Sequence, residues 1–490
     1  MNLFLDCDIR GIYGQNVDET LARRLGLAVG TLARRKHVLV AGDYRVHTPQ
    51  LMEALIEGVV DSGCQALVSG QVPTPVYYFG RKRLRVDAGV MVTASHNPPE
   101  YAGFKPILGP LPITPAEIGS IRALVEEPAA ATGGGSRMSV DLVSSYRWWM
   151  RDITRRLLEL ALRVVSEGTR RETETGLRIV VDCGNGCFGP VAPGLLEEMG
   201  YRCIPLFTEP DGSFPNRPSN VALEVGRAAT MAAVLEHGAN FGVAYDGDGD
   251  RVAFVDNRGR SIPNDVVIAL LAEDALVGRR GAKVVYDIKC SQIVPEAVRR
   301  AGGVPVGRKS GHTFMKTAMI RERAAFGGEL SGHLFFSELG GGDDALYATV
   351  RMATLILRRG TDLATLVDSV PRYVTTPDLR IPWDGSRREL IHAVRVSLEA
   401  QEGVAISDLD GVRADFGDGW GLIRVSVTEP IVTLRFEARN AKHLSTIMER
   451  FLAGALGLRQ KVLAAAEEWA RASNEAMGFR PLQPTDGPGR

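Results

Sequence analysis

The sequence predicts an α/β protein: three mixed α/β blocks followed by a smaller C-terminal α+β domain. Two observations carry this. Short apolar runs alternate with amphipathic stretches from the N-terminus to about Pro371, the pattern of strands alternating with helices. From about Thr375 the character changes, and residues 422–427 and 431–436 alternate like paired strands about a Thr-Glu-Pro turn. A chain of 490 residues is long enough for three or four domains of the usual size.

In the first block, residues 38–42, 66–70 and 88–92 read as strands, with a helix over 51–62 between the first two. The Ala/Gly-rich run 128–136 reads as a flexible loop. An Arg-rich helix follows over about 140–167, and its arginines read as a solvated face in preference to a binding patch. The second block opens with a strand at 177–182 and closes near Asp256; the third opens at Val266, contains a strand at 283–287 and runs to about Pro371. Each block is expected to start with a strand. Residues 459–477 read as a helix, and 478–490, which contain Pro and Gly, as a loosely held tail. The expected domains are 1–145, 146–256, 257–371 and 372–458, with 459–490 as a final helix and tail.

Hydrophobic residues at 45% and charged residues at 24% describe an ordinary globular composition. The 58 basic and 58 acidic residues cancel, which argues against a nucleic-acid partner. No apolar run approaches the roughly 20 residues that span a bilayer. The opening Met1-Asn2-Leu3-Phe4-Leu5-Asp6 lacks a basic segment before an apolar core, so no membrane association and a cytoplasmic location are expected. Six scattered cysteines do not read as a disulfide framework in so long a chain. Cys183 and Cys187 have no second Cys or His pair nearby to complete a metal site. Reduced, partly buried thiols are the expectation.

The most informative run is Thr93-Ala94-Ser95-His96-Asn97-Pro98-Pro99. The apolar residues 88–92 precede it, and two prolines end any continuing strand or helix. A strand ending in so rigid a loop presents one serine hydroxyl, fit to be a nucleophile or to carry a covalent group. Alone, the heptapeptide reads equally as an Asn-Pro turn. The second run is Asp246-Gly247-Asp248-Gly249-Asp250-Arg251, again behind an apolar stretch. Glycines between the carboxylates let three of them converge on one hard cation, whose charge would relieve their mutual repulsion. The run is not an EF-hand, because Arg251 stands where that loop needs glycine and Asn257 where it needs a bidentate Glu.

Two further loops carry chemistry. Gly327-Gly328-Glu329-Leu330-Ser331-Gly332-His333 combines close approach with an acceptor, a hydroxyl and a titratable ring, a set suited to polyol hydroxyls. Taken alone it also reads as a Gly-rich turn. Arg424-Val425-Ser426-Val427-Thr428-Glu429-Pro430, with Arg435 on the next strand, offers a guanidinium and two hydroxyls. That is a dianion clamp, since Arg binds phosphate through two parallel hydrogen bonds; the alternative is a plain hairpin.

Together with Asp8-Ile9-Arg10-Gly11 and Gly103-Phe104-Lys105, these loops stand in an order that resembles the α-D-phosphohexomutase family over nearly the whole chain. Lys289-Cys290, Ser310-Gly311-His312 and residues 424–438 are most similar to its bacterial phosphomannomutase/phosphoglucomutase branch. The resemblance implies four domains around a central active-site cleft. It implies a phosphoryl group on Ser95, and Mg²⁺ held by Asp246, Asp248, Asp250 and a Ser95 phosphate oxygen. It implies Glu329 and Ser331 on the sugar hydroxyls, and Arg424, Ser426 and Thr428 on the phosphate that does not react, with Arg435 beside them. By similarity Arg10, Lys105, Arg251, Lys289, His312 and His333 line the reacting end, with Lys105 the proton-transfer candidate and His333 its rival.

The implied activity interconverts hexose 1-phosphate and hexose 6-phosphate of mannose or glucose, through a hexose 1,6-bisphosphate that also serves as activator and turns end for end. Small sugar phosphates are the expected partners, in a monomer or homodimer. The competing readings are a phosphoglucosamine mutase, a sugar-phosphate phosphatase and an inactive sugar-phosphate-binding protein. The chain departs from the family pattern at Val425 and Val427, where β-branching disfavours positive φ, and at Ala102, read as a change within a turn.

Overall fold

A computed structural model describes residues 3–33, 36–164, 176–425 and 430–477. Ser426, Val427, Thr428 and the 478–490 tail therefore lie outside the described residues. The chain forms two compact units: one of residues 1–287, 294–307 and 311–370, the other of residues 288–293, 308–310 and 371–490.

The first unit holds three mixed sheets. In the first, the strands His37–Gly42, Gln65–Gln71 and Ala88–Val92 run parallel, and Tyr101–Leu108 turns back antiparallel beside Ala88–Val92. Each of the three expected strands is found, as is the helix between the first two, Thr48–Asp61. The apolar faces of that helix and of Glu19–Leu32 close over the sheet, through Leu25, Val29, Leu51, Leu55 and Val59. The expected loop at 128–136 yields at its last residue to a short strand, Ser136–Ser139, paired with Gln65–Gln71. Ala102 lies in the strand Tyr101–Leu108 opposite Gly11, which corrects its reading as a turn residue.

Helix Leu142–Val164 follows. Arginines along its described part face outward and pair along the surface: Arg147 and Arg151 with Glu198, Arg155 with Asp152 and Glu159. Its inner face is aromatic, with Tyr146 and Trp149 packed on Phe79. The solvated-face reading of this helix matches those pairs.

The second sheet places Arg178–Asp182 parallel to Phe241–Tyr245, which then pairs antiparallel with Val252–Asp256. The third block opens with the helix Asn264–Ala275, not with a strand. Residues 267–272 of its apolar run are all buried, and periodicity alone does not tell such a run in a helix from one in a strand. The strand Lys283–Asp287 then runs parallel to Phe326–Gly328, which pairs antiparallel with Leu334–Phe336.

The second unit is built on an antiparallel sheet in which Gly419–Val425 pairs with Ile431–Ala438 and with Val412–Asp415. The helices Arg387–Glu399 and Ala441–Phe451 bury Leu390, Val394, Leu444 and Ile447 against it. The expected α+β character and the paired strands are both present, and the final helix runs Leu456–Met477.

Candidate active site

Three loops of the first unit start at equivalent places, the C-terminal ends of parallel strands. The serine loop follows Ala88–Val92, the aspartate loop Phe241–Tyr245, and the Glu329 loop Phe326–Gly328. Ligand sites in open α/β sheets form outside such strand ends.

Ser95 is fully buried and sits at φ 51°, in the left-handed region. For a residue with a Cβ this conformation costs of order 1–3 kcal/mol, and it persists only where surrounding contacts dictate it. Here Ser95 N donates to Thr93 Oγ1 at 2.9 Å, and Ser95 Oγ donates to Asp246 Oδ2 at 2.8 Å. The aspartate loop reaches this close because its glycines lack side chains. A Cβ on Gly247 would stand 2.7 Å from the Ser95 carbonyl, and Gly249 adopts φ 79° against the Phe188 ring.

The three carboxylates are buried within 1% exposure, and one oxygen of each lies within 4.8 Å of the others. Lys105 Nζ donates to Asp248 Oδ2 at 2.7 Å and Asp250 Oδ2 at 2.5 Å. Thr74 Oγ1 also donates to Asp248 Oδ2, at 2.7 Å. Burial, then repulsion from Asp248 and Asp250, pushes Asp246 up to about 8. At Asp248 and Asp250 burial acts in the same direction, but Lys105 reverses it and holds both below the carboxylate range. Burial alone would bring the Lys105 amine down; the two aspartates outweigh it and keep the ammonium charged. Asp248 Oδ1 and Asp250 Oδ1 are buried with no hydrogen-bond partner among the described residues. Oxygens left so are costly, and a hard cation with oxygen ligands is the counter-charge that fits them.

Cations and rings surround this centre. Arg10 pairs with Asp8 at 2.6 Å and donates to Asn97 Oδ1 at 2.6 Å in the serine loop. Arg251 N donates to Asp246 Oδ1 at 3.0 Å, and its Nε to His333 Nε2 at 2.9 Å. The other His333 nitrogen, Nδ1, lies 2.8 Å from Asp343 Oδ2, while Lys316 Nζ lies 2.7 Å from Asp343 Oδ1. His312 stacks near His333 with ring centroids 5.8 Å apart; burial, aided by Lys316 and Lys105, keeps it uncharged. In the Glu329 loop, Ser331 Oγ donates to Glu329 Oε1 at 3.0 Å, and Glu329 Oε2 is buried without a donor among the described residues. Val252 N, just past the aspartates, donates to Gly332 O at 3.2 Å and ties the two loops together.

The first unit thus brings together Ser95, Lys105, Arg10, Arg251, His312, Glu329, Ser331, His333 and the three aspartates. The other expected residues lie in the second unit. Arg424 pairs with Asp410 at 2.9 Å across neighbouring chain turns, and Arg435 lies 3.5 Å from Asp378. Lys289 sits on a segment held by Arg413, which donates to Ile288 O and Cys290 O. Ser426 and Thr428 cannot be placed, being outside the described residues. Sequence reasoning missed Thr74, Asp343 and Lys316. Only Asp343-Asp344, two carboxylates behind three glycines, carried a visible signal.

Models of the phosphoglucomutase/phosphomannomutase α/β/α domains I, II and III match residues 1–131, 160–259 and 263–373, and that of the C-terminal domain matches 384–454. The phosphomannomutase/phosphoglucomutase of Pseudomonas aeruginosa is 36% identical over 455 residues, covering 92% of this chain and 94% of that protein. A phosphoglucomutase of Neisseria gonorrhoeae is 34% identical over 460 residues, covering 92% and 96%. The crystal structure of a phosphoglucomutase/phosphomannomutase family protein from Burkholderia thailandensis superposes with a TM-score of 0.82 at 34% identity, covering 92% of this chain and 96% of that one.

Proposed function

The chain belongs to the phosphoglucomutase/phosphomannomutase family, and from that membership we propose how its residues divide the work. It is an isomerase that interconverts the 1- and 6-phosphates of hexoses, mannose and glucose among them. Ser95 is the residue that carries the phosphoryl group. The observation that supports this best is the Ser95 hydroxyl, buried at φ 51° and hydrogen-bonded to one of three converging carboxylates.

Asp246, Asp248 and Asp250 would hold Mg²⁺, which when bound would neutralise charge on the phosphoryl oxygens. Phosphoryl transfer needs chiefly positioning and charge stabilisation. Arg10 and Arg251 supply fixed positive charge beside Ser95. Lys105 spends two of its three N–H donors on Asp248 and Asp250, which leaves one for the sugar oxygen that gains or loses the phosphoryl group. His333 Nε2 accepts from Arg251 Nε and its Nδ1 lies 2.8 Å from Asp343 Oδ2, so His333 orients Arg251, and the charged Lys105 is the better donor of the proton that the sugar oxygen takes up when its phosphoryl group leaves for Ser95. Glu329 and Ser331 bind sugar hydroxyls in either orientation of the hexose 1,6-bisphosphate. Arg424, with Arg435, Ser426 and Thr428, holds the phosphate that stays.

Coupled assays with mannose 1-phosphate and glucose 1-phosphate test the reading. Formation of the 6-phosphate, quickened by added hexose 1,6-bisphosphate, is expected. Release of inorganic phosphate without isomer would mark a phosphatase and overturn it.

A further inference from the structure

The residue that shapes the serine loop lies outside every motif above. Arg45 sits between the strand His37–Gly42 and the helix Thr48–Asp61 and is 1% exposed. Its guanidinium is spent on backbone oxygens of the loop. Nη2 donates to Ser95 O at 2.9 Å and Asn97 O at 2.6 Å; Nη1 donates to Pro98 O at 2.6 Å and Tyr101 O at 3.2 Å. Nε lies 3.2 Å from Asp43 Oδ2, and the Phe214 ring stands 5.2 Å away. Asp43 is fixed in turn through its other oxygen, which accepts from Arg45 N and from Thr48 Oγ1. Only a planar fork can serve four carbonyls in this way; a lysine has three donors on a single point.

The consequence follows from peptide geometry. In a trans peptide the carbonyl and the next N–H point in opposite directions. Drawing the Ser95 carbonyl toward Arg45 therefore turns the His96 N–H to the other side. Among the described residues that N–H has no acceptor, whereas its neighbours are committed, Ser95 N to Thr93 Oγ1 and Asn97 N to Ala94 O.

We propose that Arg45 is a positioning residue for phosphoryl transfer: by gathering the loop carbonyls it holds Ser95 in its left-handed conformation and presents the His96 N–H to an oxygen of the phosphoryl group on Ser95. The proposal rests on Ser95 being the phosphoryl carrier. A preorganised amide donor of this kind is worth about 10²- to 10³-fold in rate.

The test mixes the full-length protein with glucose 1,6-bisphosphate and follows the gain of one phosphate by intact mass. In Arg45→Lys, Ser95 phosphorylation and kcat should fall by about 30-fold or more while KM for the sugar phosphate stays within about twofold of the parent; guanidinium in solution should restore part of the rate to Arg45→Ala. Parent-like phosphorylation in Arg45→Lys would overturn the proposal and leave the phosphoserine intact. No phosphate gain in the parent would instead remove the phosphoserine itself. A measurement on the unmutated chain guards against variants that fail to fold. With ¹⁵N label confined to the eight histidines, one amide, assigned to His96 by substitution, should move downfield on phosphorylation and stay put in Ser95→Ala. An unmoved His96 amide overturns the proposal.

Discussion

The serine end and the Arg424 strand are both assigned to a phosphate, yet they are built in opposite ways. Around Ser95 every group is fixed: Lys105 and its two carboxylate partners are 4% and 0% exposed, and the serine holds a strained backbone conformation. Arg424 is 28% exposed, and among the described residues it has one carboxylate partner, Asp410, and a buried Nε with no hydrogen-bond partner. The difference teaches what each task requires. Transfer needs charges that do not reorganise as the bond breaks. Holding a phosphate that must bind, turn over and leave needs a cation that can trade one anionic partner for another. In the proposed function, Arg424 would trade Asp410, its partner at 2.9 Å, for the phosphate.

The largest effect is expected at the fixed end. Ser95→Ala removes the proposed carrier, so turnover should fall by roughly 10⁴-fold or more, and no phosphate mass should appear after treatment with hexose 1,6-bisphosphate. Near-normal turnover in this variant would erase the contrast between the two regions. Next in size is Asp248→Asn, which keeps the loop's shape but removes one ligand charge and one partner of Lys105. Activity should fall about 10²- to 10³-fold, with a weakened response to added Mg²⁺. Full activity of the parent after exhaustive chelation would show that the carboxylates serve no metal.

How much of this was legible beforehand depended on whether a residue's role is local. The strand Ala88–Val92 was read to the residue, because a short apolar run closed by a Pro-containing loop leaves little choice of ends. Ser95 and the aspartates were visible for the same reason: their loop chemistry is contained in six or seven consecutive residues. Thr74, Asp343 and Lys316 were not. Thr74 acts on Asp248 across 174 residues of sequence, and no local pattern encodes such a meeting. Arg45 is the sharpest case. A charged residue in a short turn reads as solvent-exposed, and its burial under four carbonyls exists only in three dimensions. The helical opening of the third block was missed because residues 267–272 of Asn264–Ala275 form an unbroken apolar run that is buried throughout, so no alternation with polar residues marks its period.

A third prediction asks whether the fixed end burdens the fold. Asp344, next to the His333 partner Asp343, is buried, caps the helix Ala345–Arg359 and accepts from Tyr146 Oη at 2.7 Å. Burial pushes it up to about 7. The folded state therefore holds a proton that the unfolded chain releases near pH 4, so stability should decline as pH rises from about 4 to 7 and level off above. Asp344→Asn keeps a good cap and removes the titration. Relative to the parent it should gain about 2 kcal/mol between pH 5 and pH 8, read from unfolding curves at the two values. An unchanged difference would mean that Asp344 is ionised at both.

The smallest effect belongs to Arg424, and it bears most directly on the comparison. Its Ala variant loses a charged hydrogen bond to phosphate, but the residue is partly exposed and already paired, so displacing Asp410 offsets part of the gain. About 1.5 to 2 kcal/mol should be lost, which is about 10- to 30-fold in kcat/KM. Because this strand is proposed to hold the phosphate that does not react, the loss should fall mainly on KM, and the bisphosphate should escape more often, so the variant should need more added activator. Ser95 should still take up phosphate. Asp410→Asn gives the converse arm: freeing the guanidinium from its carboxylate should lower KM by a few-fold while kcat stays near the parent value. If Arg424→Ala instead left KM unchanged and abolished Ser95 phosphorylation, Arg424 would belong to the reacting end, and the division between a fixed and an exchangeable phosphate site would have to be redrawn.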